Sequence, residues 1–300
     1  MRLIHNPSDA QLEADTVLTV GAYDGLHLGH QELVRRLITR ARATGRLSGM
    51  VTFEPMPRAV LNPGKLLICL TTLEDKIALL EQWGLDTLVV LAFTQELRHT
   101  SPRDFAHMLH NSLRMTELWV GEDFALGLHR QGDVEALSAL GLEMGFVVST
   151  IAPVRAQGMI ISSTQIRNLL FAGKIEEANQ LLGRFYHLRG RLEPMPCPPA
   201  NAFQSQGPVM SLHVPRPCAL PAGGLYAARV VLQSRWLRAA LSVDDGDPRC
   251  GDPRGSCVHL AEPDPLPATP ATVELLANLG PGGTVITPNA WWEVHKERVR

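Results

Sequence analysis

The sequence has few lysines, no excess of basic charge and no long apolar run, and these shortages exclude several classes of protein. Arginine outnumbers lysine by 24 to 4, yet the formal net charge is only −2. This balance argues against a protein that binds nucleic acid or an acidic membrane surface mainly through electrostatic attraction. The longest apolar run, residues 88–93, has the length of a buried strand, whereas a transmembrane helix needs about 20 apolar residues. We predict that the chain binds neither nucleic acid nor membranes.

Cysteine is also sparse, and its spacing lacks the C-x-x-C pattern that is typical of zinc sites. The five cysteines are odd in number, and Cys250 and Cys257 are the two that could pair or join a metal site. Because the metal-ligand spacing is missing, we favour the interpretation that these two cysteines are free thiols in a loop rich in proline and glycine. The sequence does not open with a basic segment followed by an apolar one, so we expect no secretory signal and a reduced, cytoplasmic location.

Proline is scarce in the first part of the chain, with six residues before position 190 and sixteen after it. In the first part, strand patterns alternate with helical patterns, which predicts an α/β fold with a parallel sheet of βαβ units. Strands are predicted at 16–20, 49–53, 85–93, 117–120 and 146–151, and helices at 31–43, 72–83, 102–113, 134–144, 162–172 and 175–182. After position 190, strand patterns at 209–214 and 225–233 and a helical pattern at 271–278 predict a small β-rich domain. We place the two domains at residues 1–185 and 186–300.

A glycine-rich turn follows the first predicted strand and leads into the first predicted helix. A helix N-terminus offers backbone N–H donors and a positive dipole end to a phosphate, and glycines let the phosphate come close. Imidazoles stabilise charge that builds on phosphate oxygens. The alternative is a pair of surface histidines at a helix start, but the strand–turn–helix context favours phosphate binding. The segment is Gly21-Ala22-Tyr23-Asp24-Gly25-Leu26-His27-Leu28-Gly29-His30.

A second segment places three hydroxyl side chains at the start of another predicted helix. Ser162, Ser163 and Thr164 are good helix caps, and Arg167 follows one turn later. Alone, this pattern favours an ordinary cap with a solvated arginine. Hydroxyls and a guanidinium also bind phosphate through charge-assisted hydrogen bonds. Together with the upstream histidines, the segment therefore predicts a second phosphate-binding element.

These segments, in this order, resemble the N-terminal domain of the bacterial FAD synthetases, which are bifunctional riboflavin kinases and FMN adenylyltransferases. The resemblance continues through residues 53–58, 70–76, 83–86, 120–133 and 178–190. It implies a Rossmann-like nucleotidyltransferase domain that joins FMN and ATP into FAD and pyrophosphate, with Mg²⁺ accompanying ATP. Tyr23 and Met56 stand where the family commonly has Phe and His, and neither change removes a phosphate-binding residue.

The resemblance also implies a role for individual residues. The catalytic residues would be His27, His30 and Arg167. The other residues that bind the ATP phosphates would be Gly21, Asp24, Gly25, Gly29, Ser162, Ser163 and Thr164. The flavin-binding residues would be Phe53, Pro55, Pro57, Asp123 and Phe124. No acidic cluster in the sequence identifies ligands for Mg²⁺.

The last third of the chain departs from the riboflavin kinase module, a small β-barrel, that follows in this family. The glycine-rich loop of that module is missing after Gly190, and Pro199 replaces the Thr of its Pro-Thr-Ala-Asn sequence. No counterpart of the catalytic Glu is found. We therefore predict a diverged barrel without kinase activity. Two alternatives stay open: an enzyme that also phosphorylates riboflavin, and a non-catalytic protein that binds flavin or nucleotide.

Overall fold

The computed structural model describes residues 1–64, 67–156, 158–195, 207–214, 218–233, 235–244, 256–261, 266–280 and 291–292. Contacts divide the chain into two compact units. The first unit comprises Met1–Leu67 and Thr71–Ile161, and the second comprises Ile68–Leu70 and Ser162–Arg300. Among the described residues, no helix combines the length and the apolar character that crossing a membrane requires.

A six-stranded parallel sheet forms the centre of the first unit; the sequence predicts the parallel sheet and five of its strands, but not the short first strand, Arg2–Ile4. In chain order its strands are β1 (Arg2–Ile4), β2 (Thr16–Val20), β3 (Leu47–Phe53), β4 (Thr87–Leu91), β5 (Met115–Gly121) and β8 (Val147–Ile151). They lie in the order β1-β4-β3-β2-β5-β8. The direction of strand addition therefore reverses between β2 and β5, and such a switch point is where open α/β sheets bind their ligands.

Helices connect these strands, and two small hairpins complete the unit. The helices are α1 (Leu28–Ala43), α2 (Pro57–Leu61), α3 (Leu73–Gln82), α4 (Gln95–His99), α5 (Pro102–Leu113) and α6 (Val134–Met144), with 3-10 turns at Pro7–Asp9 and Leu128–Arg130. The hairpins pair β6 (Ala125–Leu126) with β7 (Gly132–Asp133), and β9 (Arg155–Ala156) with β10 (Met159–Ile160). The predicted helices are confirmed within a few residues; α1 begins three residues before its predicted start, directly after His27.

Both faces of the sheet are covered, because side chains alternate along each strand. Leu18 and Val51 belong to one hydrophobic core, with α5 and α6. Val17 and Met50, their neighbours along the chain, belong to the other, with α1. Burial on both faces explains why every residue of β2 and β4 is buried and why all of them except Thr16, Thr19 and Thr87 are Val or Leu.

A buried carboxylate near the amino end of β5 holds two arginines. Glu117 accepts hydrogen bonds from Arg40 (2.8–3.0 Å), from Arg46 (2.5 Å) and from the indole of Trp119 (3.1 Å). Burial raises the pKa of Glu117, but the hydrogen bonds from Arg40 and Trp119 and the charges of both arginines outweigh it and leave that pKa below its ordinary value. Its stabilising contribution is complete above the unfolded-state pKa of about 4.3 and is lost as the pH falls through the lower folded-state pKa.

Glu117→Gln is therefore expected to lower the free energy of unfolding by about 1–3 kcal/mol at pH 7, because the arginines lose hydrogen bonds to a charged acceptor. The difference from the wild-type chain should shrink as the pH falls below about 4. Urea unfolding followed by tryptophan fluorescence at both pH values measures it. The matched control is Glu32→Gln, because Glu32 pairs with the exposed Arg35 and Arg36 and should change stability by under about 0.5 kcal/mol. Equal losses of stability in both variants would contradict the conclusion that the buried Glu117 stabilises the fold more than an exposed ion pair does.

The second unit begins with a helix pair, α7 (Ser163–Phe171) and α8 (Ile175–Leu182), followed by a closed six-stranded antiparallel barrel. The barrel strands are β11 (Tyr186–Pro194), β12 (Val209–His213), β13 (Gly224–Val231), β14 (Trp236–Val243), β15 (Ser256–Leu260) and β16 (Thr269–Asn278). The predicted β-barrel-like domain is confirmed. Residues 198–201, whose divergence suggests a lost kinase activity, lie outside the described residues, as does Cys250.

The helix predicted at 271–278 is wrong, because this segment is strand β16. Its burial alternates through Ala271, Val273 and Leu275, as in a strand, and then continues through Leu276 and Ala277. A β-bulge at this point of the pairing with β13 causes the run of consecutive buried residues, which resembles a helical spacing. Pairing along both edges, with β11 and β13, decides the structure.

Candidate active site

The carboxyl ends of the parallel strands surround a cavity of about 710 Å³ in the first unit. Gly21 follows β2, Phe53 ends β3, Phe93 lies two residues after β4, and Asp123 lies two residues after β5. The cavity therefore lies beside the switch point between β2 and β5. This is the position at which doubly wound sheets bind ligands.

Most of the cavity wall is apolar. Phe53 and Phe93 meet edge to face, with ring centroids 5.5 Å apart, and Phe124 and Leu97 also line the space. Aromatic and aliphatic walls of this kind favour a flat apolar ring system. Of the five residues predicted to bind flavin, Phe53, Pro57, Asp123 and Phe124 are among the lining residues, whereas the exposed Pro55 is not among the described residues that line the cavity.

Ionisable side chains also line the cavity. Arg98, His129, Arg130 and Asp123 are lining residues, and the Arg130 guanidinium donates a hydrogen bond to the backbone carbonyl of Asp123 (2.7 Å). His129 and Arg130 both have positive φ, at 54° and 60°. Consecutive left-handed residues that are not glycine are strained and are common at ligand sites. Phe93, Leu97, Arg98 and His129 are not predicted from the sequence; the nearest signal is Arg130-x-Gly132-Asp133, within the resemblance at residues 120–133.

The two histidines of the glycine-rich turn stack on each other at the start of α1. Their ring centroids are 3.7 Å apart and their planes differ by 19°. His27 is the N-cap residue of α1 and is buried, while His30 is half-buried in the first turn. A Cβ atom added at Gly29 would lie 3.2 Å from the His27 ring, so this glycine leaves the space that the ring occupies. Both imidazoles thus sit where the helix dipole is positive.

The turn before α1 is strained and is held by a segment that is distant in sequence. Tyr23, Gly25 and Leu26 have φ of 48°, 85° and 41°. The hydroxyl of Thr71 accepts a hydrogen bond from the Gly25 N–H (3.0 Å), and the Thr71 N–H donates to the Asp24 carboxylate (3.3 Å). Asp24 therefore shapes the turn through Thr71.

The tyrosine that replaces the common Phe has contacts of its own in this chain. Tyr23 is buried and lies edge-on to His30, with ring centroids 5.1 Å apart. The Thr19 hydroxyl donates to the Trp119 carbonyl (2.6 Å), so the Tyr23 hydroxyl donates to the Thr19 oxygen (2.5 Å). Burial raises the pKa of Tyr23 above its ordinary value, although the bond to Thr19 opposes this shift. The Tyr23 ring thus packs against His30, while its hydroxyl stays protonated and is held by Thr19.

A buried lysine lies beneath the same turn. Lys76, in α3, donates hydrogen bonds to the backbone carbonyl of Ala22 (2.7 Å) and to the hydroxyl of Thr52 (2.8 Å). Thr52 itself donates to the Ala22 carbonyl (3.3 Å). Ala22 lines the cavity, so Lys76 fixes the backbone between the cavity and the histidines. Lys76 falls within the resemblance at residues 70–76, but the sequence alone predicts no role for it.

The second predicted phosphate-binding segment lies in the second unit, at the start of α7. Ser162 is the N-cap residue and accepts a hydrogen bond from the Gln165 N–H (3.2 Å). Ser163 and Thr164 form the first turn and Arg167 lies in the second. Ser163 and Arg167 are half-buried, and Thr164 is exposed. The predicted cap is confirmed, and the phosphate-binding roles of these residues stay predictions.

Comparisons with known proteins agree with this arrangement. The family model described as FAD synthetase matches residues 9–165. A bifunctional riboflavin kinase/FMN adenylyltransferase from Pseudomonas fluorescens is 38% identical over 183 residues, covering 59% of this chain and 57% of that protein. The protein of the same name from Escherichia coli K12 is 33% identical over 193 residues, covering 64% and 61%. The matches thus span about 60% of the length of these curated relatives.

One solved structure shares the fold of nearly the whole chain. It is described as a macrolide-efflux protein from Streptococcus pneumoniae, has a TM-score of 0.80 at 23% identity, and the match covers 99% of this chain and 96% of that one. At this identity the likeness shows the fold alone. The family model, in contrast, covers more than half of the present sequence, including the glycine-rich turn, both histidines and the strands around the cavity. The chain belongs to the FAD synthetase family.

Proposed function

We propose that the chain transfers the adenylyl group of ATP to FMN, forming FAD and pyrophosphate. The observation that carries this proposal is that one glycine-rich turn connects the apolar cavity with the histidine pair at the start of α1. Gly21 and Ala22 line the apolar cavity, and six and nine residues after Gly21 the same turn presents His27 and His30 at the start of α1. A flavin in the cavity would therefore have its phosphate near the group that binds the ATP phosphates.

The proposed reaction needs no protein nucleophile. An oxygen of the FMN phosphate attacks the α-phosphorus of ATP, a new P–O bond forms, and the bond to the β-phosphate oxygen breaks to release pyrophosphate. The chain's contribution is positioning and charge stabilisation. His27 and His30 would donate hydrogen bonds to phosphate oxygens, and the first N–H groups of α1 would add their positive dipole end.

The roles proposed for the other residues follow the same chemistry. Ser162, Ser163, Thr164 and Arg167 would hold phosphates from α7, as hydroxyl and guanidinium donors. Phe53, Pro57 and Phe124 would contact the isoalloxazine ring, with Asp123 close to its polar edge. On this proposal residues 1–185 carry the transfer. The cytoplasmic location also stays a proposal.

Magnesium would enter as the partner of the triphosphate. Among the described residues there is no group of three or more His, Cys, Asp or Glu side chains that could hold a metal. Mg²⁺ keeps several waters and is commonly bound by substrate phosphates and one or two carboxylates. The described donors therefore fit an ion that arrives on ATP, where it neutralises phosphate charge.

A chromatographic assay tests the proposal. Purified chain with FMN, ATP and Mg²⁺ is expected to produce FAD and pyrophosphate in equal amounts. The same chain with riboflavin in place of FMN is expected to produce neither FMN nor FAD, because the working positions of the kinase module are changed in the sequence. Binding of FMN without turnover would replace the proposal with a non-catalytic flavin-binding role. Formation of FMN from riboflavin would instead show that the barrel is an active kinase.

A further inference from the structure

Two cysteines that are far apart in sequence meet in the second unit. The sulfur atoms of Cys69 and Cys218, 149 positions apart, are separated by 3.9 Å. Their backbones form an isolated parallel β-bridge, and the Ala219 N–H donates to the Cys69 carbonyl (2.9 Å). Both side chains are half-buried. The sequence does not predict this pair, because nothing in the spacing connects residue 69 with residue 218.

From this geometry we infer that Cys69 and Cys218 form a reversible disulfide by exchange with a small-molecule disulfide. A disulfide requires Cα atoms about 4.4–6.8 Å apart and an S–S distance of about 2.0 Å. Residues paired in neighbouring strands satisfy the first condition, since strands lie about 4.7–4.9 Å apart. Rotation about the Cα–Cβ bonds then brings the sulfurs together.

The backbone on both sides of the pair is anchored. The buried Tyr186 donates its hydroxyl hydrogen to the Ala219 carbonyl (2.8 Å), and Ala219 is fully buried. Leu70, next to Cys69, is buried as well. The anchored backbone keeps the two thiols together, and the two residues, which are only half-buried, leave access for a small reagent.

The exchange proceeds in two balanced steps. The Cys69 or Cys218 thiolate attacks one sulfur of the small disulfide, the S–S bond of the reagent breaks, and one small thiol leaves. The second protein thiolate attacks the mixed disulfide and releases the second small thiol. The two cysteines lose two electrons and two protons, and the reagent gains them as two thiols.

The disulfide would restrict the motion of the chain segment that leads into Thr71, the residue that holds the glycine-rich turn. Residues 68–70 lead directly into Thr71, which binds Asp24 and Gly25 of that turn. In a reducing compartment the dithiol prevails, and such disulfides form transiently under oxidation. The pair is therefore a site of reversible covalent modification, and Cys69 lies two residues before Thr71, which holds the predicted phosphate-binding turn.

Mass spectrometry of the full chain tests the inference. After exposure to excess oxidised glutathione and alkylation, neither Cys69 nor Cys218 is expected to carry the alkylating reagent or glutathione, and digestion should yield one peptide pair linked through these two residues. Dithiothreitol should restore both thiols. Cys69→Ser and Cys218→Ser should each abolish the linked pair, whereas Cys197→Ser, the matched control, should retain it.

Thermal unfolding gives a second measurement. Closing so long a loop should raise the Tm of the oxidised wild-type chain by roughly 5 °C or more. Reduced wild-type and Cys218→Ser chains should melt together. Stable mixed disulfides on Cys69 and Cys218, a link between other cysteines, or thiols of Cys69 and Cys218 that stay alkylatable would each overturn the inference.

Discussion

Replacing His27 or His30 with alanine is expected to lower kcat for FAD formation about 100- to 1,000-fold, the usual loss for one preorganised donor to a charged transition state. The larger loss in kcat is expected for His27, because it is buried at the N-cap of α1 and its ring stacks on that of His30, with centroids 3.7 Å apart. The KM for FMN should change little, because neither histidine is among the described residues that line the cavity. Steady-state kinetics with FMN and ATP varied separately measure both constants.

Two further variants separate hydrogen bonding from packing. His27→Gln retains an N–H donor, so its loss in kcat should be smaller than that of His27→Ala. His5→Ala removes an exposed histidine outside the turn and should leave kcat unchanged. All variants should melt within a few degrees of the wild-type chain. A kcat near the wild-type value in both alanine variants would refute the phosphate-binding role of the pair.

The histidine turn could be predicted from sequence because its signals are local. A strand, glycines and a helix start follow one another within a few residues, and each has its own pattern. The contacts that hold this turn could not be predicted, because they come from elsewhere. Thr71 lies 46 positions after Gly25 in the chain, and Lys76 lies 54 after Ala22. No spacing in a single sequence connects such residues.

The same distinction explains the other differences. Phe93, Leu97 and Arg98 join the cavity because β4 ends beside β3, which depends on strand order and not on a motif. The apolar spacing in strand β16 predicts a helix because the bulge produces a helical spacing, and only the partner strands on both edges show that the segment is a strand. The barrel itself could be expected from the resemblance, but its register could not.

Replacing Lys76 with methionine is expected to reduce both kcat and stability, because it removes the support beneath the turn. Methionine keeps the length and apolar stem of the side chain but loses the donor to the carbonyl of Ala22 and to Thr52. A buried acceptor that loses its donor costs about 1–3 kcal/mol. The freed backbone would let the cavity wall and the histidines move relative to each other, and a displacement of about 1 Å can cost about 100-fold in rate.

The matched control is Lys174→Met, since Lys174 is exposed and forms an ion pair with the equally exposed Glu177 at the surface. That variant should retain kcat and Tm. Thr52→Val should show a smaller loss than Lys76→Met, because the lysine still reaches Ala22. If both contacts act as one anchor, the losses in the double variant should be less than additive. Full additivity, or a kcat of Lys76→Met equal to that of Lys174→Met, would mean that the turn keeps its shape without the lysine.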